Sequence, residues 1–235
     1  RHAAESFAVD IPSGLDADTG RSDPDTIVAD LTATIGYPKT GLVAPGVEAH
    51  TGRLVLVPLS PLAIPDNSME REALITPHAL RGLLPRRPFS MHKGQAGRIG
   101  IVAGSRGLTG AARLAATAAG AAGGGLVTLF CPADIYAILA AACPPEIMVR
   151  PVSSCLEVMD FPLDAIGIGP GMGPAPLPYL ASLLTDDPRP VIVDADALNA
   201  MAAAGLSLAG RSGGPRLLTP HPGELARLSA SAAKV

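Results

Sequence analysis

Five short strings in this sequence combine side chains that hold ligands or move protons. Ala103-Gly104-Ser105-Arg106-Gly107-Leu108-Thr109-Gly110-Ala111-Ala112 follows an apolar run and opens an alanine-rich one. A turn of that composition bares backbone N–H groups at the positive end of a helix, which suits a phosphate or another polar ligand. Its glycines let such a ligand approach the main chain. The spacing is neither the G-x-G-x-x-G dinucleotide fingerprint nor a P-loop, since no Lys-Ser/Thr follows. A tight strand-to-helix turn accounts for the string as well as a ligand site does. Ile166-Gly167-Ile168-Gly169-Pro170-Gly171-Met172-Gly173 carries four glycines at the end of another apolar run, a floor without side chains. Val193-Asp194-Ala195-Asp196-Ala197-Leu198-Asn199 sets two carboxylates at a strand end. Hard oxygens of that kind hold Mg²⁺ through water, and one of the two is expected to cap the next helix instead. In Leu218-Thr219-Pro220-His221-Pro222-Gly223-Glu224 two prolines stiffen the loop that displays His221, although a lone histidine is most often a satisfied structural residue. Val9-Asp10-Ile11-Pro12-Ser13-Gly14-Leu15-Asp16 puts a carboxylate and a hydroxyl three residues apart. Asp10 has the chemistry of a general base or a hydroxyl ligand, and Ser13 with nearby carbonyls that of a monovalent-cation ligand. An Asx-type turn explains the same residues without function.

The apolar runs predict what positions these groups. Runs over residues 7–11, 26–35 and 53–58 read as strands, stopped by Pro12-Ser13-Gly14 and Gly36-Tyr37-Pro38. They resemble the end of an α/β domain, residues 1–60. Pro61, Pro65, Asp66, Asn67 and Ser68 then break every period, which predicts a linker over residues 61–75 and a second domain over 76–235. From Arg98 strands and helices alternate: strands at 99–103, 126–130, 164–168, 191–194 and 216–219, helices at 109–122, 134–142, 177–184, 197–204 and from 223. The strands are continuous apolar runs, so both faces are covered, as in a mostly parallel sheet with crossover helices. Ligands of open parallel sheets gather at the carboxyl edge. The glycine turns near 107 and 171 and His221 are therefore expected on one rim.

Composition narrows the class. Of 235 residues 48% are hydrophobic, 17% charged and 3% aromatic, which supports a packed core of Ala, Leu, Val and Ile. The net charge of −3 comes without a basic block, so nucleic acid and membrane surfaces are not expected partners. Cys131, Cys143 and Cys155 are odd in number and form no C-x-x-C pair; free thiols in a reducing cytoplasm are expected rather than zinc ligands. The uncharged stretch 114–131 is cut by Gly123-Gly124-Gly125 and reads as helix plus strand, not as a membrane span.

The order and wording of the strings carry more than each alone. VDIPSGLDADTG followed by ADLTATIGYPKTGL resembles the end of the NAD(P)HX epimerase domain. MHKGQAGRIGIVAGSRGLTGAARLAA, GLVTLFCP, IGIGPGMG, VIVDADALN and LLTPHPGE resemble, in order, the ADP-dependent NAD(P)HX dehydratase domain. The resemblance implies a partial Rossmann-like epimerase part followed by a partial ribokinase-like domain. It implies a metabolite-repair activity: interconversion of R- and S-NAD(P)HX, and ADP-dependent dehydration of (6S)-NAD(P)HX to NAD(P)H with release of AMP and phosphate. It places Asp10, Ala111, Gly171 and His221 against the substrate and makes Ser13 a K⁺ ligand, with Mg²⁺ and ADP serving the dehydratase. The partners implied are NADHX, NADPHX and ADP, and full-length relatives form homotetramers.

Departures from the family pattern matter as well. The epimerase's upstream glycine/asparagine loop, the Lys-Gly nucleotide segment and the Gly-Thr-Gly-Asp-type loop with the catalytic aspartate are not in this sequence. The expected catalytic aspartate then lies beyond Val235, and these 235 residues alone are expected to be inactive, with apolar sheet edges exposed. Two competing readings fit the same sequence: a ribokinase-like small-molecule kinase, for example for a hydroxymethylpyrimidine, and a non-catalytic nucleotide-binding fragment. The epimerase-like first segment speaks against the kinase.

Overall fold

A computed structural model describes residues 5–59 and 87–232. The chain forms two compact units, Arg1–Gly82 and Leu83–Val235. The stretch read as a linker, residues 61–75, lies outside the described residues.

In the first unit β1 (Phe7–Val9), β2 (Leu31–Ile35) and β3 (Arg53–Val57) pair in parallel in the order β1-β2-β3. A single-turn helix α1 (Glu48–Thr51) precedes β3. Leu15, Leu42 and Val47 form the buried core of the unit, with Ile11, Ala44 and Leu54 packed on it. The strand expected over 26–35 starts only at Leu31. The preceding residues are tied to the glycine turn instead: the Thr26 hydroxyl donates to the Gly14 carbonyl at 2.8 Å, and the Ile27 N–H to the Ser13 carbonyl at 3.0 Å.

The second unit is a six-stranded, wholly parallel sheet in the order β6-β5-β4-β7-β8-β9. Its strands are β4 (Arg98–Val102), β5 (Leu126–Cys131), β6 (Ile147–Pro151), β7 (Ala165–Ile168), β8 (Val191–Val193) and β9 (Arg216–Leu218). Successive side chains of a strand point to opposite faces, and the core divides accordingly. Ile101, Ala103, Val127, Leu129 and Cys131 pack on one face under α2 (Thr109–Ala121) and α3 (Tyr136–Ala142). Val102, Phe130, Ile166, Ile168, Val191 and Val193 pack on the other under α4 (Cys155–Met159), α5 (Leu180–Asp186) and α6 (Ala195–Ala204). The last helix is α7 (Pro222–Ala232). The α/β parallel architecture expected from the apolar runs is therefore present.

Three local expectations change. β6 and α4 have no counterpart in the sequence reading. β6 is an edge strand that ends on Pro151 and follows Pro144-Pro145, and proline is tolerated at such an edge. α4 has only five residues, too short to display a helical period. α5 starts at Leu180 rather than 177, because Pro178 pushes its predecessor out of helical conformation and Tyr179 sits at φ 62°. Among the described residues no helix is long and apolar enough to cross a membrane.

Strand order reverses between β4 and β7: the chain builds outward to β5 and β6 on one side, then returns and builds to β8 and β9 on the other. The loops leaving β4 and β7 depart toward opposite faces, which opens a crevice at their carboxyl ends. Both long glycine strings stand there.

Candidate functional site

The loop after β4 and the loop after β7 are bound to each other. Gly104 donates its N–H to the Pro170 carbonyl at 2.9 Å, and Gly169 donates to the Val102 carbonyl at 3.1 Å. Gly171 has φ 65°, and a Cβ there would lie 2.8 Å from the Leu108 carbonyl oxygen and 3.0 Å from Ala111 Cβ. Two residues expected at the site, Ala111 and Gly171, are thus brought together at the start of α2. Leu108, the residue before α2, supplies no side-chain cap, so the first N–H groups of a 13-residue helix face this contact without an internal side-chain partner. Gly169 is fixed differently: at φ 126° a Cβ would fall 1.8 Å from the Asp194 carbonyl oxygen, which locks the turn onto the end of β8.

The space directly between the two turns is only about 20 Å³, bounded by Val102, Gly104, Pro132 and Met172. The larger opening lies beyond Gly173: a cleft of about 420 Å³ lined by Leu108, Gly173, Pro174, Asp196, Asn199 and Ala200. Gly173, rather than its neighbour Gly171, contributes to the lining of this cleft. Its N–H donates to Asp196 Oδ2 at 2.8 Å, and Arg227 Nη1 on α7 donates to Asn199 Oδ1 at 2.9 Å. The sequence offers Asp194 and Asp196 as Mg²⁺ ligands or helix caps. Asp194 occupies the cap position of α6 without a side-chain capping bond, and Asp196 is committed to the glycine turn. No group of three or more His, Cys, Asp or Glu among the described residues could hold a metal ion.

His221 stands at the carboxyl end of β9, on the same rim and two strands from β7, but it does not line the cleft. It caps α7: Pro222 takes the first helical position, and Glu224 Oε2 accepts the His221 backbone N–H at 3.0 Å. The imidazole Nδ1 accepts the Gly223 N–H at 3.1 Å, which leaves Nε2 to face Glu224 Oε1 at 3.3 Å. The side chain remains 61% exposed, while that of Glu224 is 7% exposed. The rim therefore presents an oriented imidazole backed by a buried carboxylate.

In the first unit Asp10 ends β1 at φ 72°, a left-handed conformation uncommon for a residue with a Cβ. Its Oδ1 accepts the Ile35 N–H at 2.9 Å and a short hydrogen bond from Lys39 Nζ. The Lys39 ammonium and the Ile35 N–H hold this carboxyl below the usual aspartate range, against a smaller opposing push from burial. Ser13 is exposed, and its hydroxyl has no partner among the described residues, whereas its carbonyl accepts the Ile27 N–H. One free hydroxyl can supply one oxygen to a cation.

Sequence reasoning missed Lys39, Glu224 and Arg227 as parts of these arrangements. Glu224 had a signal, because proline followed two residues later by glutamate marks a helix start. Lys39 and Arg227 act across 29 and 28 residues respectively, and nothing local announces that.

Comparison with known proteins places the chain among its relatives. Residues 99–235 match the family model described as NAD(P)H-hydrate dehydratase, and residues 1–41 match the YjeF-related protein N-terminus. The bifunctional NAD(P)H-hydrate repair enzyme Nnr of Moorella thermoacetica is 43% identical over 98% of the chain and 46% of its own length. The protein of the same name from Escherichia coli is 39% identical over 97% of the chain and 43% of its length. The chain thus spans less than half the length of these curated relatives. Among solved structures, the ADP/ATP-dependent NAD(P)H-hydrate dehydratase of Bacillus subtilis, co-crystallised with ATP/Mg²⁺, superposes with a TM-score of 0.55 at 31% identity, covering 66% of this chain and 55% of that one. A ribokinase-like superfamily protein of Enterococcus faecalis gives a TM-score of 0.52 at 27% identity, over 62% and 52% of the two chains.

Proposed function

The chain belongs to the NAD(P)H-hydrate dehydratase family, and on that footing we propose that it serves the repair of hydrated nicotinamide coenzymes. The dehydration removes a ring hydroxyl. Hydroxide is a poor leaving group, so the hydroxyl oxygen first takes a phosphoryl group from ADP, releasing AMP. Phosphate then departs with the C–O electron pair, a ring proton is lost, and NAD(P)H is restored. Such a transfer demands positioning and neutralisation of charge more than covalent help from the protein.

One observation carries the proposal: the glycine turn after β7 packs on the open start of α2 at the point where strand order reverses, beside a cleft of about 420 Å³. That volume suits a small-molecule site, and bare N–H groups at a helix start favour phosphate. Ala111, Gly171 and His221 are assigned to the hydrate site. Mg²⁺ is assigned to the phosphates of the nucleotide rather than to Asp194 and Asp196. In the epimerase part Asp10 contacts the hydrate and Ser13 contributes one ligand to K⁺. The domain division at 1–60, 61–75 and 76–235, a homo-oligomeric assembly and a cytoplasmic setting complete the reading, the last resting on three cysteines that are all free.

The test supplies NADHX, ADP and Mg²⁺ to a polypeptide of the relatives' full length that contains this chain, and follows dihydronicotinamide absorbance. Absorbance should return with one AMP formed per NADH. Failure to return, alongside ready phosphorylation of a vitamin precursor, would transfer the site to a small-molecule kinase. His221→Ala should raise the KM for the hydrate about tenfold, the loss of one modest contact; unchanged kinetics remove His221 from the site.

A further inference from the structure

Lys39 is not among the residues assigned to the site, yet its ammonium makes three hydrogen bonds at the end of β2. Its Nζ donates to Asp10 Oδ1, to Thr34 Oγ1 at 3.2 Å and to the Ile35 carbonyl at 3.0 Å. An ammonium has three N–H donors and no acceptor. All three are spent on oxygens of the protein, and none remains for a ligand. The loop that delivers it leaves β2 through Gly36 at φ 74°, passes Pro38 and folds the lysine back over the strand end.

Asp10 is bound asymmetrically. Oδ1 accepts two hydrogen bonds, from Ile35 N–H and from Lys39, which takes up its lone pairs. The Thr34 hydroxyl also helps to hold the carboxyl low, but no hydrogen bond to Oδ2 is made among the described residues, and the side chain is 43% exposed while that of Lys39 is 27% exposed. One oxygen is clamped and the other is offered outward. The backbone carrying this carboxylate is at φ 72°, a conformation that persists where its surroundings hold it in place. An ordinary surface ion pair does none of this; it joins two mobile side chains and contributes little.

We propose that Lys39 is a positioning residue for the epimerase chemistry: it anchors Oδ1 of Asp10 so that Oδ2 meets the ring of the hydrate in a fixed direction. This rests on the reading of Asp10 as a hydrate-contacting residue. Lys39 acts through Asp10 and does not touch the substrate. A guanidinium does not replace it, because a planar fork cannot direct three donors from one nitrogen toward three converging oxygens.

Two measurements test the proposal. The first is carboxyl ¹³C NMR of Asp10 in the 235-residue chain. Lys39→Met should move the titration midpoint of Asp10 upward and broaden its resonance, while Lys39→Arg, which keeps the charge but not the tripod, should restore the midpoint only in part. The second is R/S epimerisation of NADHX by a polypeptide of the relatives' full length containing the chain. Lys39→Met and Lys39→Arg should each lower kcat about tenfold to a hundredfold, the scale of a misplaced reacting group, with KM little changed. Dehydratase activity of the same preparation, housed in the other unit, should hold at its original level and so report intact folding; Thr34→Val, which removes one of the three acceptors, should give an intermediate loss. If Asp10→Asn abolishes epimerisation while Lys39→Met leaves both the rate and the Asp10 midpoint unaltered, the positioning role is overturned and the reading of Asp10 stands. If Asp10→Asn itself leaves epimerisation intact, the reading of Asp10 fails and the inference falls with it.

Discussion

At position 171 a methyl group meets two obstacles, a φ of 65° and the Leu108 carbonyl at 2.8 Å. Gly107 shares the first, with φ 82°, but a Cβ there has nothing within 4 Å. The two alanine variants therefore separate strain from contact. Gly107→Ala should cost about 1 kcal/mol, the penalty for a left-handed residue with a Cβ. Gly171→Ala should cost about 2–3 kcal/mol and weaken hydrate binding, because the turn must also retreat from α2. Urea midpoints of the two variants check the difference, and equal midpoints would deny the contact. Asp196→Ala leaves the Gly173 N–H without its carboxylate, and loss of a charge-assisted bond of this kind is worth about 1.5–3 kcal/mol. The expected sign is weaker hydrate binding together with lower stability, measured by titration calorimetry and urea unfolding. The sequence displayed the glycines and both aspartates but not this use of Asp196. Its bond to Gly173 spans 23 residues and joins two separate strand ends. Period and turn chemistry report only on neighbours, so Mg²⁺ ligation or a cap is the local expectation for the pair, and the tie from Asp196 to the other loop lies outside it.

The same blindness to distance operates among the elements. Asp186-Asp187-Pro188-Arg189 reads as a polar turn, yet Asp187 is fully buried and forms an ion pair with Arg189. Arg189 also donates to the carbonyls of Val158, Met159 and Phe161, at the end of α4, at 3.3, 3.0 and 2.6 Å. Arg216 donates to the carbonyls of Leu183, Leu184 and Asp187, at the end of α5, at 3.2, 2.8 and 2.7 Å. Two guanidiniums thus satisfy the carbonyl ends of two helices at the rim opposite the site, where cations also suit the helix dipole. Burial pushes the Asp187 carboxyl upward, but the Arg189 hydrogen bonds and the charges of Arg189 and Arg216 outweigh it, and its pKa lies below the ordinary value. A depressed folded-state pKa means that the stabilisation is complete above about pH 4 and is lost as pH falls through the folded value. Asp187→Ala strands Arg189 and should cost about 3–5 kcal/mol at pH 7. The difference between this variant and the parent should shrink in denaturation curves taken below about pH 4. A difference independent of pH would mean that the carboxylate's charge is not what holds the helices. The parallel strands of this unit were legible because continuous apolar runs have one explanation in a two-faced sheet. β6 was not, because an edge strand bounded by prolines has the composition of a loop.

At the scale of the whole molecule the chain divides into two units, Arg1–Gly82 and Leu83–Val235, and nothing local in the sequence weighs the strength of one against the other. The second unit buries two clusters, one on each face of six strands. Among the described residues the first buries a cluster of Leu15, Leu42 and Val47 and leaves Phe7 64% and Val9 74% exposed on β1. Burial of apolar area is the main source of stability, so the first unit should open at a lower denaturant concentration than the second. The cysteines supply a clean reporter, since all three lie in the second unit. Burial pushes the thiol of Cys155 up to about 12 and that of Cys131 up to about 11, and a thiol that is neither exposed nor ionised reacts slowly. Cys143, partly exposed as the cap of α3, is expected to react first with a thiol reagent in the native chain. In rising urea the amides of β2 should lose hydrogen-exchange protection before Cys131 and Cys155 become reactive. A single midpoint shared by β2 exchange and by both buried thiols would overturn the expected order of unfolding.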